Sequence, residues 1–400
     1  MSALIDSLAA EARLPADDHA QVRRGARKAL LQYGFPDMKT EAWKYTSLRV
    51  LEKREFSAEK PAPSDRPVLP FEAVVLHFDN GILATDGLDL PEGVSLVPQT
   101  GDQLAVADYG DRSGAFAWLN LARFEQAWHL RIEGRLERPL VIATGTAEDF
   151  QGDVHPRLFI ELAAGAQAEV VEVQQDRGQG LVNIVQDITL GPGAILRHLV
   201  SRRVAQSAWI QRSAVTLARD ADYRFHVLDR GGRLTRHDLN ATLVGAGANA
   251  EIDGTVLVND RQHVDFHTAI DHQVGHTNSR ESFRILADGS GVGVFNGRIH
   301  IARGADDSHS DLNTANLLLS ESARINAKPE LEIYAEEVTA SHGATIGQLD
   351  DTALFYMRSR GIPASEAAAL LKQGFAAAPL ENIQPEPIRT WLLGELKNMM

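Results

Sequence analysis

The pattern of apolar and polar positions divides the chain into three zones, and the first of them predicts an amphipathic helix. Between Asp17 and Tyr33 apolar residues recur at helical spacing, with basic residues on the opposite side. We interpret the basic side as a solvated face in preference to a docking surface for an acidic partner. A proline-rich passage at residues 60–67 follows and predicts a linker. The stripe consists of Ala20, Val22, Ala26, Ala29, Leu30 and Tyr33, and the basic side of Arg23, Arg24, Arg27 and Lys28.

The middle zone is β-rich and carries a faint internal repeat. Similar turn-like segments begin at Leu162, Leu190, Leu217 and Leu243, at intervals of 28, 27 and 26 residues. Short apolar strands flank each segment, and no helical pattern lies between them. Such a period predicts stacked coils in which each unit buries the apolar face of its neighbour. Periodicity alone does not distinguish a β-helix from a β-sandwich.

The last zone is helical again. Pro363 precedes a helix whose amides we expect Ser365 to cap. A second helix carries a stripe that gathers on one side. Such a stripe packs within its own protein or docks on a partner, and the pattern leaves both interpretations open. Its members are Ile388, Trp391, Leu392, Leu396 and Met399.

Composition bounds the class of protein. The chain has 400 residues, 44% hydrophobic content, a formal net charge of −14 and no cysteine. The negative charge argues against nucleic acid and against anchoring on an anionic membrane. The start lacks a basic segment followed by an apolar run, so we expect no secretion signal and a cytoplasmic protein. We divide the chain into a helical region with linker at 1–70, a β core with a mixed entry segment at 71–350, and a helical domain at 351–400.

Two groups of histidines are candidates for metal chemistry. On a strand, His263, Asp265 and His267 would point to one face, a spacing that suits zinc or iron. Further histidines follow as far as His276, and the role of this run stays open. The second candidate is His342, in a Ser-His-Gly sequence at the end of a strand-like run over residues 328–351. By itself this tripeptide is more typical of a structural histidine.

Several longer motifs, in one order and spacing, resemble the SufB/SufD family of iron–sulfur cluster assembly proteins. The likeness covers most of the chain and is stronger to the SufD branch than to the SufB branch. The motifs are Glu41-Ala-Trp-Lys-Tyr-Thr46, Arg236-His-Asp-Leu-Asn240, Phe295-Asn-Gly-Arg298, Asn316-Leu-Leu-Leu-Ser320, Lys328-Pro-Glu-Leu-Glu-Ile333, Ser341-His-Gly-Ala-Thr345 and Phe355-Tyr-Met-Arg-Ser-Arg-Gly-Ile362.

The resemblance implies a mainly β fold, a right-handed parallel β-helix core with α-helical domains at both ends. It implies a non-catalytic subunit that pairs with a SufB-like homologue and binds a SufC-like ATPase through its C-terminal helices, at Ile388, Trp391, Leu392 and Leu396. It places His342 at the interface with the SufB-like chain, in contact with a transient, shared iron–sulfur cluster. Many relatives carry a cysteine two residues before this histidine, where this chain has Ala340.

Two predictions stay open beside this one. An exposed β edge favours a homodimer when the chain is isolated. The alternative function is a metal-dependent or carbohydrate-acting β-helix enzyme that uses His263, Asp265 and His267. Against the carbohydrate-acting version, aromatic residues make up only 6% of the chain, and no carboxylate pair has a spacing suited to glycoside hydrolysis.

Overall fold

The computed structural model describes residues 2–59, 61–101, 104 and 109–400, with the side chains described from residue 4 onward. Met1 and Lys60, which fall in the predicted N-terminal region and linker, lie outside this description. The protein is mainly β, with 42% strand and 21% helix, and forms a β-solenoid of about eight turns with helices at both termini. The predicted fold class is therefore confirmed.

Seven α-helices and twenty strands make up the described chain. The helices are α1 Ser2–Leu8, α2 Ala20–Tyr33, α3 Arg49–Glu52, α4 Ala115–Arg123, α5 Asp351–Ser359, α6 Ala364–Ala377 and α7 Glu386–Met399. The strands are β1 Val74–Asp79, β2 Ile82–Leu83, β3 Val94–Pro98, β4 Ala127–Ile132, β5 Leu140–Thr146, β6 Asp153–Val154, β7 Arg157–Leu162, β8 Gln167–Asp176, β9 Leu181–Leu190, β10 Ile195–Arg203, β11 Ala208–Leu217, β12 Asp222–Arg230, β13 Leu234–Leu243, β14 Asn249–Val258, β15 His263–His272, β16 Asn278–Ala287, β17 Val292–Ile301, β18 Ser308–Leu318, β19 Arg324–Ile333 and β20 Val338–Gly347.

From β7 onward successive strands alternate between two long sheets, as expected for a solenoid. Sheet A runs β2-β1-β5-β8-β10-β12-β14-β16-β18-β20, and sheet B runs β3-β4-β7-β9-β11-β13-β15-β17-β19. From β7 and β8 onward every neighbouring pair within a sheet is parallel. Strands two apart in sequence pair in parallel, which excludes an antiparallel sandwich. The sequence repeat was compatible with a β-helix or a β-sandwich, and the structure shows the β-helix.

The internal repeat corresponds to the last residues of successive sheet B strands and the turns after them. Leu162, Leu190, Leu217 and Leu243 are paired in register, and all four are buried in the same core. In these turns and the next two along sheet B, the stacked position has positive φ and is occupied by Gly165, Gly193 or Gly247, or by Asp220, His276 or Asp307. The amide of each such residue bonds to the carbonyl of the next turn, which stacks the turns along the solenoid.

Both outer faces of the solenoid are covered by helices. The N-terminal helices and α4 share a core with the first residues of β9, β11 and β13 in sheet B. The predicted helix over residues 17–33 is confirmed as α2. Arg23 differs from its prediction as a solvated residue because it is fully buried. Its guanidinium pairs with Asp17 and donates to the carbonyl of Ala122 at 3.2 Å.

The C-terminal helices α6 and α7 lie on the outer face of sheet A. Ile388, Leu392 and Leu396 are at most 1% exposed and pack against strands of sheet A. Trp391 is partly buried, with its ring edge-on to Phe71 at 5.7 Å. The stripe thus packs within the chain, and this placement contradicts its interpretation as a surface open to a partner.

Two smaller points complete the C-terminal region. The residue before α6 is Pro363, and no side chain caps the helix, so the expected Ser365 cap is wrong. Among the described residues, no helix combines the length and apolar character needed to cross a membrane.

Candidate functional site

His342 lies at the open end of the β-helix. It belongs to β20, the last strand of sheet A, and is paired with Leu312 of β18. Leu312 is fully buried and points into the solenoid. Paired residues of parallel strands face the same side of a sheet, so His342 extends the same interior column of side chains. Among the residues that the structure describes, no further coil covers that column, and His342 is exposed as a result.

The strand that carries His342 is firmly attached to the coil below. Asp306 accepts the amides of Glu336 and Glu337 at 3.1 and 3.3 Å, which fixes the turn between β19 and β20. Further along, Asn316 donates to the carbonyl of Thr345 at 2.9 Å. Ser341 donates to the carboxylate of Asp311. The imidazole is therefore presented from a rigid strand and not from a loop.

The surroundings of His342 on the open end are apolar and incompletely covered. Ile346 continues the same inward-facing side of β20 and is 47% exposed, while Ile333 at the end of β19 is 40% exposed. Val338, Ala340 and Leu331 are only partly buried against the core. Inward-facing apolar residues at a solenoid end are ordinarily capped, because stacking is what buries them. We call this set of residues, with His342, the open end.

His342 is the only nitrogen ligand on the open end, and it has no companions for metal binding. No hydrogen bond or ion pair joins its ring to another described residue. Within the described ranges, one group of three His, Asp or Glu ligand atoms lies within 4.8 Å of one another, namely Asp17, Asp18 and His19. Asp17 of that group is already paired with Arg23. A metal or cluster at His342 would have to draw its other ligands from outside the described part of this chain.

His263, Asp265 and His267 meet as predicted on one face of β15, but protein groups already bind their ligand atoms. Asp265 is fully buried and accepts from Arg236 at 2.5 Å and from the hydroxyl of Thr46 at 2.5 Å. His263 contacts the same hydroxyl at 2.9 Å, and His267 lies 2.8 Å from Asp265. Burial alone would raise the pKa of Asp265, but Arg236 and His267 together hold it well below its usual value.

A guanidinium at ion-pair distance from the carboxylate disfavours a metal ion at this place, because two cations would compete for one anion. The alternative enzyme with His263, Asp265 and His267 as ligands therefore finds no support in the geometry. The group acts instead as a buried clamp on the N-terminal segment. Arg236 donates to the carbonyl of Ala42 at 2.7 Å and stacks on the ring of Trp43 at 4.1 Å.

This clamp joins motifs that are far apart in sequence. Glu41 and Thr46 bracket the N-terminal motif, and Glu41 pairs with Lys328 of β19 at 2.6 Å. The N-terminal segment thus spans from β13 to the last strand of sheet B. Of the remaining histidines in the run, His272 is buried between hydroxyl groups at 2.7 and 2.9 Å, and His276 is a turn residue with positive φ.

Comparisons with known proteins identify the family of this chain. The SufBD core domain of the SUF system for iron–sulfur cluster assembly matches residues 143–375, which is more than half of the chain and includes His342. The chain belongs to the SufBD family. The iron–sulfur cluster assembly protein SufD of Escherichia coli is 29% identical over 379 residues, covering 92% of this chain and 90% of that protein.

Two other relatives extend the range of organisms. A SufBD family protein of Synechocystis is 29% identical over 394 residues, with 90% of this chain and 86% of the relative covered. The chloroplastic protein ABCI7 of Arabidopsis thaliana is 26% identical over 411 residues, with coverages of 95% and 86%. Membership of the family, predicted from the motifs, is confirmed.

Sequence reasoning missed the apolar residues that accompany His342 on the open end. Ile346 and Ile333 read as ordinary strand residues, because a sequence does not show which coil of a solenoid is last. It also missed the exposed aromatic pair of α5, Phe355 and Tyr356, which are 71% and 59% exposed. Their position in a family motif was the available signal.

Proposed function

We propose that this protein is a SufD-like, non-catalytic subunit of an iron–sulfur cluster assembly scaffold. It pairs through its open end with a SufB-like homologue and binds a SufC-like ATPase. The nascent cluster is the cargo of this assembly, held between His342 and donors of the partner. The position of His342 as an exposed imidazole on a rigid terminal strand is the observation that carries the proposal.

The composition of the chain supports a partner as the source of the remaining ligands. Iron–sulfur clusters are held mainly by thiolates, and this chain has no cysteine. A neutral imidazole binds iron more weakly than a thiolate does, which favours release of a cluster that has to be handed on. A shared site of this kind is empty until the two chains meet, and it therefore makes cluster assembly depend on complex formation.

Pairing through the open end is supported by its exposed edge and its apolar residues. The outer edges of β19 and β20 leave backbone groups without a strand partner, and such edges are sites of association. Stacking a second solenoid would cover Ile346, Ile333 and His342 together. The same edge also serves a homodimer when the chain is isolated, with the two chains related by a twofold axis.

The ATPase is assigned to α5 and the exposed side of α6, and not to the stripe of α7. None of the residues of α5 is buried, and Phe355 and Tyr356 of α5 and Leu370 of the adjoining α6 expose large apolar side chains. Exposed aromatic residues at this density are typical of protein interfaces. Because α7 is used for packing within the chain, it supports this surface from behind.

The test is the variant His342→Ala in the complex produced with the SufB-like and SufC-like partners. We expect the complex to form normally, because the side chain is exposed and bonds to no described residue, and its iron and acid-labile sulfide content to fall severalfold. His309→Ala is the matched control, since His309 is exposed on the adjacent strand β18 but faces outward. Equal iron and sulfide in the His342→Ala complex and in the parent would refute the role of this residue.

The compartment stays a prediction. One relative is named as a chloroplastic protein. The cytoplasmic assignment of this chain rests on its sequence alone. Fractionation of cells that produce the full-length chain would check it.

A further inference from the structure

One side of the solenoid carries a second candidate site, far along the chain from His342. Turns that lead from sheet A strands to sheet B strands are stacked there, and α3 lies over them together with the segment that follows it. Between the two is an open cleft of about 1060 Å³. Neither the family motifs nor the proposed function uses this cleft.

The cleft is strongly basic in a protein that is acidic as a whole. Arg49, Lys53, Arg54, Arg233 and Arg261 line it, against one carboxylate, Asp260. In the described part of the chain, none of these five cations forms an ion pair with a carboxylate. The formal net charge of the chain is −14, so five unpaired cations in one place are a marked local reversal.

Backbone carbonyls, and not carboxylates, hold part of this cleft in place. Arg54 donates to the carbonyl of Gly180 at 2.5 Å and to that of Gln206. The turn that contains Gln206 is fixed by Asp176, a buried carboxylate that accepts the amides of Ala205 and Ser207, both at 3.0 Å. Burial lowers the pKa of Arg54, and although Asp176 opposes this effect, the nearby charge of Arg233 adds to it. The wall of the cleft therefore carries more positive than negative charge.

The remaining lining narrows the chemistry of a ligand. Besides the cations it consists mainly of hydrogen-bond donors, namely three glutamines, an asparagine and a serine. Its only apolar members are Val50 and Ala205, so it offers no surface on which an aromatic ring could stack. Guanidinium groups bind phosphate oxygens bidentately, and a dense set of donors suits a compact polyanion. We infer that this cleft binds a diphosphate group, either as free pyrophosphate or as the phosphate tail of a nucleotide.

The test is calorimetric titration of the full chain with pyrophosphate at low salt. We expect saturable binding with one site per chain that weakens as salt is raised. Arg233→Gln and Arg261→Gln should each weaken it about tenfold, because each removes a charged hydrogen-bond donor. Arg261 is exposed, so its replacement does not endanger folding even if that of Arg233 does. Arg219→Gln is the matched control, because Arg219 is equally exposed but lies outside the cleft.

Parallel titrations distinguish the sources of the diphosphate. Equal affinity for pyrophosphate and ADP assigns the site to the diphosphate alone, whereas affinity for ADP more than about tenfold higher identifies a nucleotide. AMP should bind weakly in either case. The inference is overturned if pyrophosphate shows no saturable binding, if Arg261→Gln binds it as well as Arg219→Gln does, or if a hexaglutamate peptide binds more tightly than pyrophosphate.

Discussion

The replacement Glu281→Gln should remove most of the loss of stability that this protein suffers between weakly acidic and weakly basic pH. Glu281 lies on β16 directly below Leu312, in the interior column that ends at His342. Its side chain is fully buried and accepts one hydrogen bond from Thr268 at 3.0 Å, while its other oxygen has no partner. Burial raises its pKa from 4.5 to about 8, although Thr268 opposes the shift, and the charge of Asp253 adds to it.

The sign and size of the effect follow from proton linkage. Below pH 4.5 Glu281 is protonated in both the folded and the unfolded chain. In this range it therefore adds no pH dependence to the free energy of unfolding. Between 4.5 and about 8 the folded chain retains a proton that the unfolded chain releases, so the free energy of unfolding falls as pH rises. At about 1.4 kcal/mol for each pH unit, the loss reaches about 5 kcal/mol near pH 8. Above that pH it stays constant.

The measurement is urea unfolding of parent and variant at pH 5, 6, 7 and 8. Glutamine keeps the shape of the protonated side chain and has no charge to bury, so the stability advantage of Glu281→Gln should grow by about 1.4 kcal/mol at each step up to pH 7 and by about 1 kcal/mol from pH 7 to 8. Other groups titrate in both proteins and cancel in the difference. Glu321→Gln, on an exposed turn, is the control and should show no such growth. A constant difference between Glu281→Gln and the parent from pH 5 to 8 would contradict the reasoning.

Three further predictions concern packing, the clamp and the open end. Leu392→Ala should lower the free energy of unfolding by about 2–5 kcal/mol, whereas Leu370→Ala, at a side chain that is 45% exposed, should change it by less than about 0.5 kcal/mol in the same urea assay. Asp265→Asn removes the closest counter-ion of the buried Arg236, which keeps its pair with Asp238, and should therefore cost about 1–3 kcal/mol, with earlier proteolysis of the N-terminal segment; unchanged protease resistance would count against the clamp. Ile346→Asp should abolish self-association in analytical ultracentrifugation while the chain stays folded by circular dichroism, and a dimer that persists would show that the open end is not the contact.

The sequence predicted the elements that depend on local patterns. Helix α2, the strand-end leucines and the one-sided stripe of α7 all arise from periodicity, and they are where the pattern puts them. These patterns did not show which element packs against each face. Arg23 reads as a surface residue, yet it is buried because Asp17 and Ala122 supply partners from separate elements. The stripe of α7 is covered by sheet A, whose outer apolar residues give no sequence signal of what they face.

The candidate site divides in the same way. The position of His342 near a strand end followed from its neighbours in sequence, while its place on the final coil needed the full register from β1 to β20. The spacing of His263, Asp265 and His267 was misleading as evidence for a metal site. The sequence does not show that Arg236 and Thr46 bind the carboxylate of Asp265. The basic cleft escaped notice for a related reason, since its cations come from turns about one coil apart and from a segment that precedes the solenoid.

The final coil has one consequence for dynamics. In a linear stack every interior coil is supported from both sides, whereas the one that carries His342 has a neighbour on one side only. Its amides should therefore exchange with solvent faster than those of β14 or β16, and a second chain seated on it should slow that exchange. The coil that we expect to receive the cluster is therefore also the coil that a bound second chain should order most.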